Sequence, residues 1–580
     1  MTRRSTLLLA VLALLGLAMA TGLSTASAMQ GSKFRPGKVG TKGVVATESP
    51  AAARVGRAVL EQGGNAVDAA AAITFALNVA RPQSCGIGGG GFLVYRSAKG
   101  RTAALDFRET APARFTPKTL TRKGLHQDFT GHLTVGAPGT LAGMHAALKR
   151  YGTWSLSRTM APAQRLASRG IRVPASLSAA MKENAPRLRT FPTAAHQFLR
   201  KGKPYRAGSV LRQPTLARTL ASIRRHGTKA FYRGAIARRI DAEMDRTRAK
   251  PIKGDRALLT ARDIGRYRAV WRRPLRGSFR GTELVTAPPP TSGGIAVLEM
   301  LNILEGFDNK ASGMSSLDTL HRIIETQKLA FADRNEYVAD PKFVRNPTST
   351  LISKGYAAKR RALISPARAQ KPKPGLGASR GGKASADANP HGSTTHISVI
   401  DAAGNSVSST CTIEQEFGSA VVARGTGFLL NNEMTDFGDP GSANEPRAGK
   451  RPRSSIAPII ATQGGRPVAV TGGAGGSQII MGAFFAVFDR LEYGLDLPHA
   501  VDAERLDANE YPDKGIKLEQ GRLAPGVVAG LRARGHKLDL LGEYGERPRV
   551  QAAGYAFATG PAKVATSDSR TDDGSLIQRR

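Results

Sequence analysis

The 580-residue sequence lacks the residue patterns that identify most metalloproteins and disulfide-rich domains. Its only cysteines are Cys85 and Cys411, so it has no Cys-x-x-Cys pair, and it has no His-Glu-x-x-His run. Without such ligand spacings the sequence does not indicate metal catalysis. We expect neither a metal nor another cofactor. Whether the two cysteines pair depends on their separation in the fold, which the sequence leaves open.

Long apolar runs are also scarce, and the one that stands out lies at the N-terminus. Arg3 and Arg4 precede the apolar residues 7–20, and a small-residue site ends at Ala28. This order is typical of an export signal, and the run is too short for a stable membrane span. We therefore predict that residues 1–28 are a signal peptide. The mature protein should be secreted or lie in the periplasm or cell envelope, without a membrane span.

Acidic residues are few compared with basic ones. The chain has 85 Lys and Arg against 44 Asp and Glu, a formal net charge of +41. Such a chain attracts anionic polymers. The basic residues extend from Arg101 to Arg580 and do not form one helix or stripe, which argues against a nucleic-acid footprint. We expect no nucleic-acid partner.

The remaining patterns predict an α/β protein. Ser49-Pro50 predicts a helix start, with the helix running to Gln62, and Asn65 predicts the cap of a second helix that reaches about Ala80. Residues 140–333 are mostly helical in pattern. Residues 366–393 are rich in Pro, Gly, Lys and Ser and are typical of a flexible linker. After residue 394 the pattern changes to strands.

Two short motifs match signatures whose structural context is absent. Gly86, Gly88 and Gly91 satisfy G-x-G-x-x-G, but a helix precedes them and a strand follows, the reverse of a dinucleotide site. We interpret them as a tight backbone packing point. Ser379, in the G-x-S-x-G at residues 377–381, lies within the linker rather than between a strand and a helix, so a serine hydrolase is not indicated.

Thr394 and Thr395 lie where the linker meets the first strand. Such a position suits β-branched residues for packing alone. The alternative is self-cleavage between Ser393 and Thr394, because an N→O acyl shift would free the α-amine of Thr394. That amine, with a pKa of about 7.7 to 8, can serve as general base toward the hydroxyl of the same residue.

The motifs around this boundary resemble those of the gamma-glutamyltransferase (gamma-glutamyl transpeptidase) family. The resemblance runs from about Gly43 to residues 567–574. Its motifs occur in the family's order at residues 82–92, 105–112, 135–152, 287–294, 393–413, 427–437, 450–460 and 471–477.

The family implies the four-layer αββα sandwich of N-terminal-nucleophile hydrolases. It also implies a precursor cut into a large subunit, residues 29–393, and a small catalytic subunit, residues 394–580. These two pieces would form a heterodimer.

The resemblance also assigns roles to individual residues. Thr394 is implied as self-cleaving residue and nucleophile, and Thr412 as its positioning partner. Gly475 and Gly476 match the oxyanion hole. The residues implied to hold the α-carboxylate are Arg108, Ser454 and Ser455, and those implied to hold the α-ammonium are Glu433 and Asp436.

The implied activity is that of a gamma-glutamyl hydrolase/transferase acting on glutathione and other gamma-glutamyl compounds through a threonyl ester. Water or an amino acid or peptide acceptor would complete the reaction.

Two departures from the family keep alternatives open. Glu414 stands where the family usually has asparagine, and the stretch between Asp436 and Ser454 is shorter than in well-known members. A glutaryl- or cephalosporin-type acylase, or a poly-gamma-glutamate hydrolase, on the same fold is therefore the alternative. A basic, non-catalytic envelope-binding protein is a third hypothesis, against which the complete set of implied site residues argues.

Overall fold

The fold is known from a computed structural model that describes residues 32–121, 124–377, 392–508, 515–545, 548–556 and 560–579. The predicted signal peptide, Ser379 and linker residues 378–391 lie outside these ranges. Among the described residues, no helix is both long and apolar enough to cross a membrane.

Two seven-stranded antiparallel sheets form the centre of the protein. The first has the order β1-β20-β19-β15-β14-β11-β10 and the second β21-β2-β12-β13-β3-β4-β9. Strands β12 and β13 of the second sheet face β15 and β19 of the first. A small sheet, β16-β17-β18, and the two-stranded ribbons β5-β8 and β6-β7 lie outside them.

The strands have these bounds: β1 Lys38–Gly40, β2 Val44–Thr47, β3 Gly90–Arg96, β4 Thr102–Asp106, β5 Ile171–Arg172, β6 Leu199–Arg200, β7 Lys203–Pro204, β8 Val210–Leu211, β9 Val270–Arg272, β10 Leu275–Phe279, β11 Thr282–Thr286, β12 Gly392–Ile400, β13 Ser406–Gln415, β14 Ile459–Gln463, β15 Arg466–Ala474, β16 Leu506–Asp507, β17 Ile516–Glu519, β18 Leu538–Leu541, β19 Arg549–Tyr555, β20 Lys563–Ser567 and β21 Leu576–Ile577.

Helices cover the outer face of each sheet, which completes four layers and confirms the predicted αββα sandwich. Helices α1 and α2 pack on the second sheet, and α12 and α17 pack on the first. The helix bounds are α1 Pro50–Glu61, α2 Ala66–Ala80, α3 Thr140–Tyr151, α4 Leu156–Arg169, α5 Ala175–Glu183, α6 Ala185–Arg189, α7 Pro192–Phe198, α8 Pro214–His226, α9 Lys229–Tyr232, α10 Ala235–Ala249, α11 Ala261–Arg266, α12 Gly293–Leu304, α13 Asn309–Ser312, α14 Leu317–Tyr337, α15 Thr348–Leu351, α16 Lys354–Arg361, α17 Ile479–Glu492, α18 Leu497–Asp502 and α19 Val527–Ala533.

The predicted starts of the first two helices are confirmed. The Ser49 side chain accepts from the backbone N–H of Ala52, with Pro50 at the first helical position. Asn65 accepts from the N–H groups of Val67 and Asp68, and the Asp68 side chain accepts in turn from the Asn65 N–H. These contacts satisfy helix N–H groups that have no partner within the helix.

The glycine-rich stretch before β3 is a packing point, as interpreted from the sequence. A Cβ atom on Gly89 would lie 1.9 Å from the backbone oxygen of Thr412, and one on Gly91 would lie 2.0 Å from that of Thr410. Only glycine allows β3 to approach β13 this closely. The glycines therefore allow the close spacing between this stretch and β13, the strand that carries Thr412.

The two cysteines form a disulfide. Cys85 precedes the glycine-rich stretch and Cys411 lies on β13, with their Cα atoms 5.3 Å apart. They are 326 positions apart in the sequence, which is why sequence spacing alone could not predict the pair.

The first part of the predicted linker lies against the body of the protein. Asp333 accepts from the N–H of Gly375 at 2.6 Å, the hydroxyl of Tyr337 accepts from the N–H of Leu376 at 2.9 Å, and Glu325 accepts from the N–H of Gln370 at 3.1 Å. These contacts attach residues 370–376 to α14.

The positive charge is denser in one part of the sequence than in the rest, although it is not confined to one helix. Residues 151–280 contain 31 Lys and Arg but only 6 Asp and Glu, which gives +25 of the total +41. The segment contains α4 to α11, and its helices include those packed outside α2. The part of the sequence richest in basic residues is therefore helical.

Candidate active site

Thr394 lies on β12 directly opposite Thr412 on β13. The Thr394 hydroxyl donates to Oγ1 of Thr412 at 3.2 Å, and the Thr412 hydroxyl donates to the carbonyl oxygen of Ser393 at 3.2 Å. The N–H of Glu414 donates to the same Thr412 hydroxyl at 2.8 Å. Thr412 therefore orients the hydroxyl of Thr394 and polarises the carbonyl immediately before it.

The strand register shifts between Gly392 and Thr394, which brings the end of β12 against the turn at residues 475–476. A Cβ atom on Gly392 would lie 2.7 Å from Cα and 3.0 Å from the backbone nitrogen of Gly476. Gly475 has φ +134° and Gly476 has φ +62°, a backbone shape that side chains disfavour. In the uncut chain, Gly392 thus lies beside the predicted oxyanion hole.

Arg108 is a buried cation at the centre of the site. Its guanidinium forms ion pairs with Glu433 and Asp436 and donates to the backbone oxygens of Pro452 and Arg453. Burial alone would lower the pKa of Arg108, but these carboxylates outweigh it and raise the pKa. Counting contacts among the described residues, four of its five N–H donors are used, which leaves one for a substrate carboxylate.

Carboxyl groups outnumber the cation at this site. Burial raises the pKa of Glu109 to about 8, and burial together with the neighbouring carboxylates raises that of Glu433. The carboxyl groups of Glu414 and Asp436 line the same cleft as Arg108. The site is therefore suited to a substrate that brings a positive charge.

Ser454 and Ser455 depend on residues that sequence reasoning did not identify. Arg334 donates to Oγ of Ser455 at 2.7 Å and to Oγ of Ser292 at 2.8 Å. The Ser292 hydroxyl and its N–H both donate to the carbonyl oxygen of Ser454, at 2.7 and 2.8 Å. Ser292 lies in the motif at 287–294 and Arg334 on α14. An arginine in the middle of a helical pattern gives no signal of this role.

His396 is the histidine closest in sequence to Thr394, yet it is not placed to act as its base. Its Nδ1 lies 2.8 Å from Oγ1 of Thr410, and burial lowers its pKa to about 3. The Thr394 hydroxyl donates a hydrogen bond to Thr412 instead. This arrangement fits a nucleophile whose base is its own amine.

One cleft brings almost all predicted site residues together. It is lined by Arg108, Gly392, Thr394, Thr412, Glu414, Glu433, Asp436, Ser454, Ser455 and Gly476, with Ile456, Ser477 and Ile479. Gly475 adjoins the lining residue Gly476. Within the described ranges, no group of three His, Cys, Asp or Glu side chains could hold a metal ion.

Comparison with known families agrees with this geometry over nearly the whole chain. The family profile described as Gamma-glutamyltranspeptidase matches residues 52–577. The chain belongs to this family.

Individual relatives of the gamma-glutamyltranspeptidase family include both glutathione hydrolases and acylases. The "Glutathione hydrolase proenzyme" of Escherichia coli (strain K12) is 38% identical over 515 residues, 86% of each chain. The "Acylase ACY 1 proenzyme" of Pseudomonas sp. (strain SE83) is 37% identical over 535 residues, 90% of each chain. Among solved structures, cephalosporin acylase from Bacillus halodurans matches with a TM-score of 0.83 at 30% identity, covering 93% of this chain and 97% of that one.

Proposed function

We propose that the protein is a self-processing gamma-glutamyl hydrolase/transferase in which Thr394 first cuts its own chain and then acts as nucleophile. The observation that supports it is the hydroxyl chain from Thr394 through Thr412 to the Ser393 carbonyl. A threonine that only packed a strand would not need its hydroxyl linked, through the hydroxyl of Thr412, to the carbonyl of the peptide bond before it.

The proposed cleavage step uses the hydrogen bonds from Thr394 to Thr412 and from Thr412 to the Ser393 carbonyl. Oγ1 of Thr394 attacks the carbonyl carbon of Ser393 and loses its proton, the C–N bond breaks, and the Thr394 nitrogen takes up a proton. Thr412 donates to the carbonyl oxygen as negative charge develops there. Water then hydrolyses the resulting ester, which leaves a carboxylate on Ser393 and a free amine on Thr394.

Turnover requires the departure of Gly392 and Ser393. Gly392 lies beside Gly476 before the cut, so its removal opens space at the N–H groups of Gly475 and Gly476. The free amine of Thr394 then takes the proton of its own hydroxyl, which attacks the γ-carbonyl of the substrate. A γ-glutamyl ester forms, the amine product leaves, and water or an acceptor amine releases the γ-glutamyl group.

The charge of the cleft favours a γ-glutamyl donor such as glutathione. Arg108, with Ser454 and Ser455, would receive the α-carboxylate, and Asp436, Glu433 and Glu414 would receive the α-ammonium. Because three carboxyl groups and one guanidinium are found among the described residues that line the cleft, a donor carrying an ammonium group suits its charge. The mature enzyme would be a heterodimer of residues 29–393 and 394–580 that works outside the cytoplasm.

A reducing denaturing gel tests the cleavage directly. We expect the wild type to give pieces of about 40 and 20 kDa, in proportion to the 61.3 kDa of the whole chain. Thr394→Ala should remain whole, and Thr394→Ser, which keeps a hydroxyl, should still be cut. A cut Thr394→Ala chain, or a wild type that stays whole and yet is active, would contradict the proposal.

The similarity to acylases supports a second candidate, a glutaryl- or cephalosporin-type acylase. Glutaryl groups have the carboxylate of a γ-glutamyl group without its ammonium. The acylase candidate therefore predicts at least equal kcat/KM for glutaryl-p-nitroanilide and γ-glutamyl-p-nitroanilide. A clear preference for the γ-glutamyl substrate would exclude it.

A further inference from the structure

The loop between α2 and β3 reaches the bond that is cut. Oγ of Ser84, in this loop, lies 2.8 Å from Oγ of Ser393, and both residues are buried. Ser393 supplies the carbonyl that Thr394 attacks in the proposed cleavage. Ser84 does not line the cleft, so nothing in the proposed turnover uses it.

The disulfide joins this loop to the strand that carries Thr412. Cys85 follows Ser84, and Cys411 precedes Thr412 on β13. Each half of the disulfide is therefore adjacent to a residue that contacts Ser393. Ser84 contacts its side chain, and Thr412 contacts its carbonyl oxygen.

We propose that Ser84 is a positioning residue for self-cleavage, and that the Cys85–Cys411 bond keeps it in register with Thr412. This inference rests on the proposed cut between Ser393 and Thr394. Two contacts on different atoms of one residue restrict rotation of Ser393, so its carbonyl stays in line with Oγ1 of Thr394. Preorganisation of this kind accelerates an intramolecular attack by removing unproductive orientations.

The same bond has a second consequence once the chain is cut. Cys85 lies in the 29–393 piece and Cys411 in the 394–580 piece, so the disulfide becomes a covalent link between the two subunits. The mature heterodimer would then not dissociate on dilution under oxidising conditions. Ser84 would lose its partner because Ser393 leaves the site with its new carboxylate.

A double-mutant cycle on the rate of precursor cleavage tests the positioning role. Freshly translated precursor is followed on reducing gels for the wild type, Ser84→Ala, Ser393→Ala and the double variant. Loss of one buried hydrogen bond should slow cleavage about 3- to 10-fold in each single variant. The double variant should be no slower than the slower single one, because both remove the same bond.

Ser409→Ala is the matched control. Ser409 is a buried serine on β13 that donates to the backbone oxygen of Phe92 at 3.3 Å, and it does not contact Ser393. Its cleavage rate should equal that of the wild type. The Ser84→Ala enzyme, once fully cut, should also keep wild-type kcat and KM, which separates positioning of the precursor from general damage to the fold.

The possible outcomes distinguish this inference from the proposed function. If Ser84→Ala is cut at the wild-type rate while Thr394→Ala stays whole, Ser84 has no positioning role and the proposed function stands. If Thr394→Ala is itself cut at the same bond, the proposed function fails first. Additive slowing in the double variant would show that Ser84 and Ser393 act separately, which also overturns the inference.

Gels run without reductant test the disulfide. The cut wild type should migrate as one species near the mass of the uncut chain and separate into two pieces on reduction. The paired variant Cys85→Ala with Cys411→Ala should separate without reductant and be cut several-fold more slowly. Cleavage of wild-type precursor in dithiothreitol gives the same comparison without mutation. An unchanged rate in both would overturn the role of the disulfide in cleavage.

Discussion

Removing the α-ammonium group from the substrate should sharply reduce turnover. Glutaryl-p-nitroanilide differs from γ-glutamyl-p-nitroanilide by that group alone, so the pair isolates its contribution. Among the described residues that line the cleft, Arg108 supplies one guanidinium, and Glu414, Glu433 and Asp436 supply three carboxyl groups. A substrate that brings only a carboxylate adds negative charge to a site already in excess of it.

The size of the effect follows from the contacts. An ion pair at 4 Å near a protein surface is worth about 4 kcal/mol at an effective dielectric constant of 20. The Asp436 side chain is 21% exposed and already paired with Arg108, so we expect about half of this. A difference of about 2 kcal/mol corresponds to roughly 30-fold in kcat/KM.

The assay compares two substrates with two enzymes, so that the effect of the ammonium group can be assigned to Asp436. Release of p-nitroaniline is measured for both substrates with the wild type and with Asp436→Asn. The variant should lose most of its activity on the γ-glutamyl substrate and much less on the glutaryl one, so that the preference falls about tenfold or more. Asp439→Asn, an equal charge change at an exposed position outside the cleft lining, should keep the wild-type preference.

Two results would refute this reasoning. If the wild type treats both substrates alike, the excess of carboxylates does not act on the substrate. If the preference survives unchanged in Asp436→Asn, the ammonium group lies elsewhere. The first result would also make the acylase the better candidate.

Three further predictions concern other parts of the protein. Arg334→Lys should raise KM for γ-glutamyl-p-nitroanilide about tenfold with little change in kcat, because lysine cannot contact Ser455 and Ser292 together. An unchanged KM in steady-state assays would show that Arg334 does not hold the serine pair in place for the substrate. The raised pKa of Glu109, about 8, means that the folded state retains a proton that the unfolded state has lost above pH 4.5. Stability should therefore fall between pH 5 and 8 by up to about 1.4 kcal/mol per pH unit from this group, and thermal melts of Glu109→Gln should show a smaller fall. Replacing Arg158, Arg165 and Arg169, which are exposed on α4, with glutamine should lower the salt concentration that elutes the protein from an immobilised polyanion, and an unchanged elution point would place the binding charge elsewhere.

Local signals in the sequence were sufficient to predict the first two helices and the β12-β13 hairpin. Ser49 and Asn65 act through neighbouring N–H groups, so their capping could be read directly. The β12-β13 hairpin also follows from local patterning, and it places Thr394 opposite Thr412. Resemblance to the family supplied the distant residues of the cleft, such as Arg108, which no local pattern could have connected to Thr394.

What the sequence did not reveal depends on contacts between distant segments. The Cys85–Cys411 bond and the Ser84–Ser393 contact each span more than 300 residues. The linker was predicted from its low apolar content, yet part of it is attached by backbone N–H groups that donate to polar side chains such as Asp333. Composition cannot show such attachments because any residue except proline can supply the N–H.

Under the proposed mechanism, the uncut chain has an assembled cleft and is still inactive. Arg108, the serine pair and the two threonines already lie together before cleavage, so the cut does not need to build the cleft. Gly392 nevertheless lies beside Gly476, and Thr394 has its nitrogen in a peptide bond and therefore has no base. Both obstacles are removed by breaking one bond. Since Gly375 and Leu376 remain attached to α14, the released end can leave the cleft without disturbing the packing of the large subunit. If the chain is cut before Thr394 as proposed, activity should appear in step with the cut.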